Sequence, residues 1–112
     1  MTLLELDGRV TCVRLNGRLD APGADRIGVQ FAAAVAAQAK PAVIDLSGVS
    51  FIASMGLRLL ISTARSLHGK GGTMVLFGAN DLVGGVLQDA ALDQIIPVAT
   101  TEAAALERLA RH

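Results

Sequence analysis

The chain has no tryptophan, no tyrosine and three phenylalanines. Proteins that grip single-stranded nucleic acid stack its bases on aromatic side chains, and that platform is missing. Charge of one sign is missing too: ten basic residues balance ten acidic ones. Such a surface carries no electrostatic footprint for nucleic acid or for an anionic membrane. A single cysteine, Cys12, excludes an internal disulfide and a cysteine metal cluster. It sits among Val10, Val13 and Leu15, a setting for a buried, inert thiol. The two histidines, His68 and His112, have no partners at metal-ligand spacing. Long hydrophobic runs are absent as well. The longest, Phe31 to Ala37, is far below the ~20 residues that span a bilayer. No basic stretch followed by an apolar one opens the sequence, which predicts no signal peptide and a soluble, cytoplasmic protein.

What is present is an apolar fraction of 52% in 112 residues and a mean hydropathy of +0.51, enough for one core and one domain over 1–112. Leu3 to Leu6 and Arg9 to Leu15 flank Asp7-Gly8, the strongest short hairpin signal. Asn16-Gly17 reads as a turn that closes the second strand. Arg18 to Gly23 then leads into a helix over roughly Ala24 to Ala39, with Ile27, Phe31 and Val35 on one face. Lys40-Pro41 ends it. Ala42 to Leu46 is a short continuous apolar run, typical of a central parallel strand, and Ser47-Gly48 reads as its stop.

A helix follows from Ser54 to about His68, with Leu57, Leu60, Ile61, Ala64 and Leu67 expected inside and Arg58, Ser62, Arg65 and Gly69 outside. The glycines of Gly69 to Gly72 terminate it, since no strand precedes them and no helix follows as in a phosphate-binding loop. Thr73 to Phe77 is the next buried strand. Asn80 or Asp81 caps a short helix, Leu82 to about Asp89, and Leu92 to Val98 holds a last short strand ended by Pro97. Thr100 caps a final helix to Ala110, with Glu102 in its first turn and Arg108 and Arg111 in its last. The order β-β-α-β-α-β-α-β-α predicts an α/β layered domain with a mixed sheet of four to five strands and about four helices, covered on one or both faces.

Ser54 concentrates the chemistry. A hydroxyl at a helix mouth can accept a backbone hydrogen bond as a cap, worth ~1 kcal/mol. It can also carry a phosphate, favoured there by unpaired N–H groups and the helix dipole. Ser47 and Ser50 read as turn residues, and Asp20 as a turn or cap residue. Enzymatic catalysis lacks a base, a nucleophile and an orienting group in one place.

The run Val43-Ile44-Asp45-Leu46-Ser47-Gly48-Val49-Ser50-Phe51-Ile52-Ala53-Ser54-Met55-Gly56-Leu57 resembles the signature of the STAS domain, the family of bacterial anti-sigma factor antagonists (anti-anti-sigma factors). Gly17-Arg18-Leu19-Asp20, Gly71-Gly72-Thr73-Met74-Val75-Leu76 and Leu92-Asp93-Gln94-Ile95-Ile96 are similar to further family segments, so the resemblance covers nearly the whole chain. It implies a STAS-type fold and a non-enzymatic partner switch in transcription regulation and signal transduction. In such a switch the unphosphorylated protein binds an anti-sigma factor that is a GHKL-type serine kinase. Phosphorylation at the position matched by Ser54 releases the protein, and a PP2C-type phosphatase restores binding.

The implied partner-binding set is Asp20, Ala53, Ser54, Met55, Arg58, Leu59 and Ser62, with no metal and no cofactor, on a monomer or weak dimer. Ala53 and Met55 depart from the family pattern, where Asp and then Ser or Thr are common on either side of the serine. A constitutive STAS subunit, bound to an ABC-type lipid transporter or within a signalling scaffold and lacking a phosphate cycle, is therefore the alternative.

Overall fold

The computed structural model describes residues 1–6, 9–37 and 39–110. Its elements run β1 (Thr2–Leu6), β2 (Val10–Leu19), α1 (Ala21–Ala36), β3 (Ala42–Ile52), α2 (Ser54–Gly69), β4 (Met74–Phe77), α3 (Asp81–Asp89), a 3-10 turn η1 (Leu92–Gln94), β5 (Val98–Ala99) and α4 (Glu102–Ala110). The five strands lie side by side in sequence order. β1 is antiparallel to β2, with Leu4 opposite Cys12, and every later pair is parallel. This is the predicted α/β order with its mixed sheet. The expected Asp7-Gly8 turn lies outside the described residues, as do Arg111 and His112.

The layering follows from chain geometry. Crossovers between parallel strands are right-handed, and here each one steps the same way along the sheet. α1, α2 and α3 therefore land on one face. Under them Val13, Leu15, Ile44, Leu46 and Leu76 join Phe31 and Val35 of α1, Leu60 and Leu67 of α2, and Val83 and Leu87 of α3. The other face is covered by α4 alone, where Ala105 packs with Cys12, Val43, Val75 and Phe77. Alternation along the strands divides the residues: Ala42, Ile44 and Leu46 face three helices, while Val43 faces one. Burial pushes the Cys12 thiol pKa up, and the Glu102 and Asp45 carboxylates push it further, so the thiol is held in its unreactive form.

Several boundaries differ from the expectation. Asn16-Gly17 closes nothing: β2 continues through it to Leu19. The positive φ of Gly17, +83°, is spent on an irregularity in the β2–β3 register between Arg14 and Arg18, the kind of glycine that makes a bulge rather than a turn. Likewise β3 does not stop at Ser47-Gly48 but runs on to Ile52. Gly48 fits there because a Cβ would collide with the Asn16 side chain and sit 2.9 Å from the Leu15 carbonyl oxygen. The paired glycine-containing dipeptides let two long strands stay together as far as Leu19 and Ile52.

α1 begins three residues before Ala24, because Asp20 caps it and Pro22 fits its first turn. It ends at Ala36 rather than Ala39, whose φ of +54° is incompatible with a helix. The last strand is only Val98–Ala99, preceded by η1, since Pro97 has no N–H to pair. Thr101, rather than Thr100, caps α4 by accepting the Ala104 N–H at 3.1 Å.

Candidate functional site

The ends of β2 and β3 and the starts of α1 and α2 meet at one edge of the sheet. Leu19 pairs with Ile52 in register, and one residue on the Ala53 N–H donates to the Leu19 carbonyl at 3.0 Å. That bond sets the mouth of α2 against the end of β2. Gly56 lets α2 come so close: an added Cβ would run into the Leu19 carbonyl oxygen and lie 2.8 Å from the Leu19 Cβ. The strand–helix junction is therefore fixed by one backbone hydrogen bond and one missing side chain.

Ser54 is the first helical residue, not the cap. The cap position belongs to Ala53, in extended conformation, and it has no side chain to accept an N–H. The capping role weighed for the Ser54 hydroxyl is thus absent, because the serine lies one residue too far along. Ser54 is exposed, and among the described residues its side chain makes no hydrogen bond. The N–H groups of the first turn have no carbonyl one turn earlier inside the helix to bond to. The result is an uncapped, positively polarised helix start carrying an exposed hydroxyl.

The α1 start is built differently. The Asp20 carboxylate accepts the Gly23 N–H at 3.0 Å and the Arg18 Nε–H at 3.1 Å. The Gly23 bond above all, then Arg18, holds the Asp20 pKa below the ordinary carboxylate range. Arg18 in turn stacks its guanidinium 4.5 Å from the Phe51 ring centroid. At the far side Asn80 caps α3 by accepting the Val83 N–H at 2.8 Å, and its Nδ2 donates to the Val49 carbonyl at 3.2 Å. The end of β3 is thereby tied to α3 as well.

The structure brings all seven of the expected partner-binding residues to this edge or to the adjoining face of α2. Met55, Arg58, Leu59 and Ser62 line a shallow hollow between α2 and α1, opposite Ala24, Asp25, Gly28 and Val29. Val29 is 84% exposed and Met55 39%, so apolar surface borders the hollow. Ala53 is half-buried, and Asp20 reaches the edge through its cap. Ser62 is engaged locally, its Oγ donating to the Leu59 carbonyl at 3.2 Å. Ser47 bears out its reading as a turn-type residue only in part: its N–H bonds the Asp45 carboxylate at 2.9 Å, yet within a strand.

Arg18, Asn80 and Val29 join the site although the sequence pattern does not single them out for it. Arg18 carries a usable signal in its position two residues before Asp20. The inner face of α2 also differs: Gly56, Leu60, Thr63 and Leu67 are buried, while Leu57, Ile61 and Ala64 are only half so. Among the described residues no cluster of three His, Cys, Asp or Glu side chains could hold a metal ion, and no helix is long and apolar enough to cross a membrane.

The profile of the STAS domain matches residues 2–105. The chain belongs to the STAS domain family. Within it, the chain is 31% identical over 101 residues to the anti-sigma F factor antagonist of Paenibacillus polymyxa, covering 89% of this chain and 86% of that one. The fold of this STAS domain is similar to that of a solved anti-sigma factor antagonist from Mycobacterium paratuberculosis, with a TM-score of 0.85, 28% identity, and coverage of 97% and 92%. It is also similar to the anti-sigma factor antagonist SpoIIAA in its unphosphorylated form, with a TM-score of 0.77, 25% identity, and coverage of 99% and 96%. The Bacillus SpoIIAA has in addition been solved in a phosphorylated form.

Proposed function

We propose that this STAS domain is an anti-sigma factor antagonist that works as a partner switch. With Ser54 unmodified it binds an anti-sigma factor of the GHKL serine-kinase type. Transfer of the ATP γ-phosphoryl group to the Ser54 Oγ releases it, and a PP2C-type phosphatase resets it. The observation that carries the reading is the exposed Ser54 at the first position of an uncapped helix. The relatives support it: one is named an anti-sigma F factor antagonist, and another exists in phosphorylated and unphosphorylated forms.

The physics of release follows from the geometry. Phosphate adds about −1.5 to −2 charges at neutral pH. Within the protein this charge meets unpaired N–H groups and the positive end of α2, so it is accommodated without refolding. The cost falls on a partner packed around a small hydroxyl, which must then desolvate a dianion. A 100-fold loss of affinity needs only about 2.8 kcal/mol. Asp20, Ala53, Ser54, Met55, Arg58, Leu59 and Ser62 form the contact surface in this reading. Arg58 follows Ser54 by one helical turn and is exposed, within reach of either a partner carboxylate or the phosphate.

Ala53 and Met55 favour a second reading, a constitutive STAS subunit of an ABC-type lipid transporter or scaffold. Ala53 supplies no carboxylate to the phosphoryl-transfer site, and Met55 offers a flexible apolar contact that suits a standing interface. Incubation with the host's GHKL-type kinases and ATP, followed by intact-mass measurement, separates the two. The switch predicts one added phosphate, lost in Ser54→Ala. No phosphate favours the constitutive subunit, and phosphate that survives Ser54→Ala overturns the switch at Ser54.

A further inference from the structure

The flank of α2 that faces away from α1 is open. α2 packs on α1 and β4, whereas α3 packs on β3 and η1. Between α2 and the η1–β5 segment runs a groove of about 400 Å³. Met74 and Ile96, 3% and 1% exposed, form its floor, with Ala64 and Pro97 beside them. Ile95 stands on its rim, 50% exposed. Arg65 and His68 edge it, and its lining holds no carboxylate. Asp93, on η1, lines a separate hollow beside Gly84 and Ala99.

The groove does not end at Arg65. A second hollow shares that arginine and continues along α2 past Ile61, Arg58 and Leu57 to Ser54. The half-burial of Leu57, Ile61 and Ala64 belongs to this strip: one side of each packs on the core and the other is left to solvent. A strip the length of α2, apolar at its base, edged by Arg58 and Arg65 and lined by no carboxylate, has the form in which proteins receive an amphipathic helix.

We propose that this groove receives an acidic amphipathic segment of the partner, its apolar side on Ala64, Ile95 and Ile96 and its carboxylates on Arg58 and Arg65. The inference rests on the reading of the chain as a protein-binding module. It gives the partner's contacting segment a chemistry, and it extends the surface from the Met55–Val29 hollow across the shared Arg58 to the flank of α2 that faces η1 and β5. It also gives Ser54 a second lever on binding. A phosphate at the end of the same arginine row competes with the segment's carboxylates for Arg58 and repels them.

The test is an amide NMR titration of the whole chain with a synthetic amphipathic helical peptide. The peptide carries leucines at i, i+3, i+4 and i+7 with glutamates flanking them, and a matched peptide has lysines in place of the glutamates. The expected result is shifts concentrated at Ala64, Arg65, His68, Ile95 and Ile96, with the lysine peptide binding about tenfold more weakly. Arg65→Glu and Ile95→Ser each weaken the acidic peptide about tenfold. Both sites are exposed, and a retained spectrum establishes that each variant is folded.

Equal binding of the two peptides, shifts gathered at Val29 and Met55, or no binding overturns the proposal. So do shifts at these residues that depend on protein concentration alone, which would assign the groove to a second copy of the chain. No kinase and no modification of Ser54 enters this assay. A chain that is never phosphorylated therefore still passes or fails it on its own.

Discussion

The two helices that start at the functional edge begin in opposite ways. α1 is fixed by side-chain chemistry: Asp20 caps it, Arg18 braces Asp20, and Phe51 supports Arg18. α2 is fixed by backbone and by the absence of a side chain, through the Ala53–Leu19 hydrogen bond and the Gly56–Leu19 contact. A carboxylate cap satisfies one of the first-turn N–H groups and places its own negative charge where an anion would sit. An uncapped start held in place by other means keeps them available. Within a few residues the same fold thus builds one helix mouth closed by a side-chain cap and one left uncapped.

That contrast can be broken first at Gly56. Gly56→Val places branched carbon against the Leu19 carbonyl and Cβ, so either α2 shifts or β2 bends. We expect a loss of about 3 kcal/mol in denaturant unfolding, large for a chain of this size, with Ser54 displaced from the edge. Asp20→Ala removes the cap and the Arg18 partner together. It lowers the unfolding midpoint by less than Gly56→Val does, and circular dichroism should locate the loss in helix content.

The Asp20 contribution also has a pH signature. Its carboxyl pKa is lowered in the folded state, so its stabilisation is present above the ordinary aspartate value near 3.9 and fades as pH falls through the lower folded value. The stability difference between the wild-type chain and Asp20→Asn should be flat from neutral pH down to about 5 and shrink in stronger acid. A difference that grows on acidification would refute the assignment.

Converting the α2 mouth into the α1 kind sharpens the comparison from the other side. Ala53→Ser supplies the missing cap, and unfolding should show a gain of about 0.5–1 kcal/mol. The same change occupies an N–H that the proposed phosphate would use, so it should slow or weaken phosphorylation at Ser54 in the kinase assay. Smallest of all is Ser54→Ala. The hydroxyl caps nothing, and unfolding should move by no more than about 0.5 kcal/mol while phosphate incorporation is abolished. A loss near that of a cap would return Ser54 to a structural role.

Much of this was legible in the chain. Periodicity placed each helix and strand, and the segment from Val43 to Leu57 identified the family. What escaped were features set by contacts between distant residues. Asn16-Gly17 and Ser47-Gly48 each look like turns because turn chemistry is local, but Gly17 supplies the positive φ of a register irregularity and Gly48 makes room for Asn16 on the neighbouring strand. A cap at Ser54 is off by one residue, since α2 begins at Ser54 and its cap position falls on Ala53. Amphipathicity showed that α2 has an apolar stripe without showing that α1 takes only part of it. The strip of Leu57, Ile61 and Ala64 is open because α3 packs on β3 and η1, a choice made elsewhere in the chain.

The Ala53–Leu19 hydrogen bond has one more use. It protects a single amide at the head of a helix whose next few N–H groups have no intrahelical acceptor. In hydrogen exchange that amide is a gauge fitted at the hinge between two strands and two helices. Its protection factor reads the free energy of lifting α2 off β2, while its neighbours exchange with solvent. A partner that clamps the junction would slow it, and a ligand that only touches the outer face of α2 would leave it ticking at its native rate.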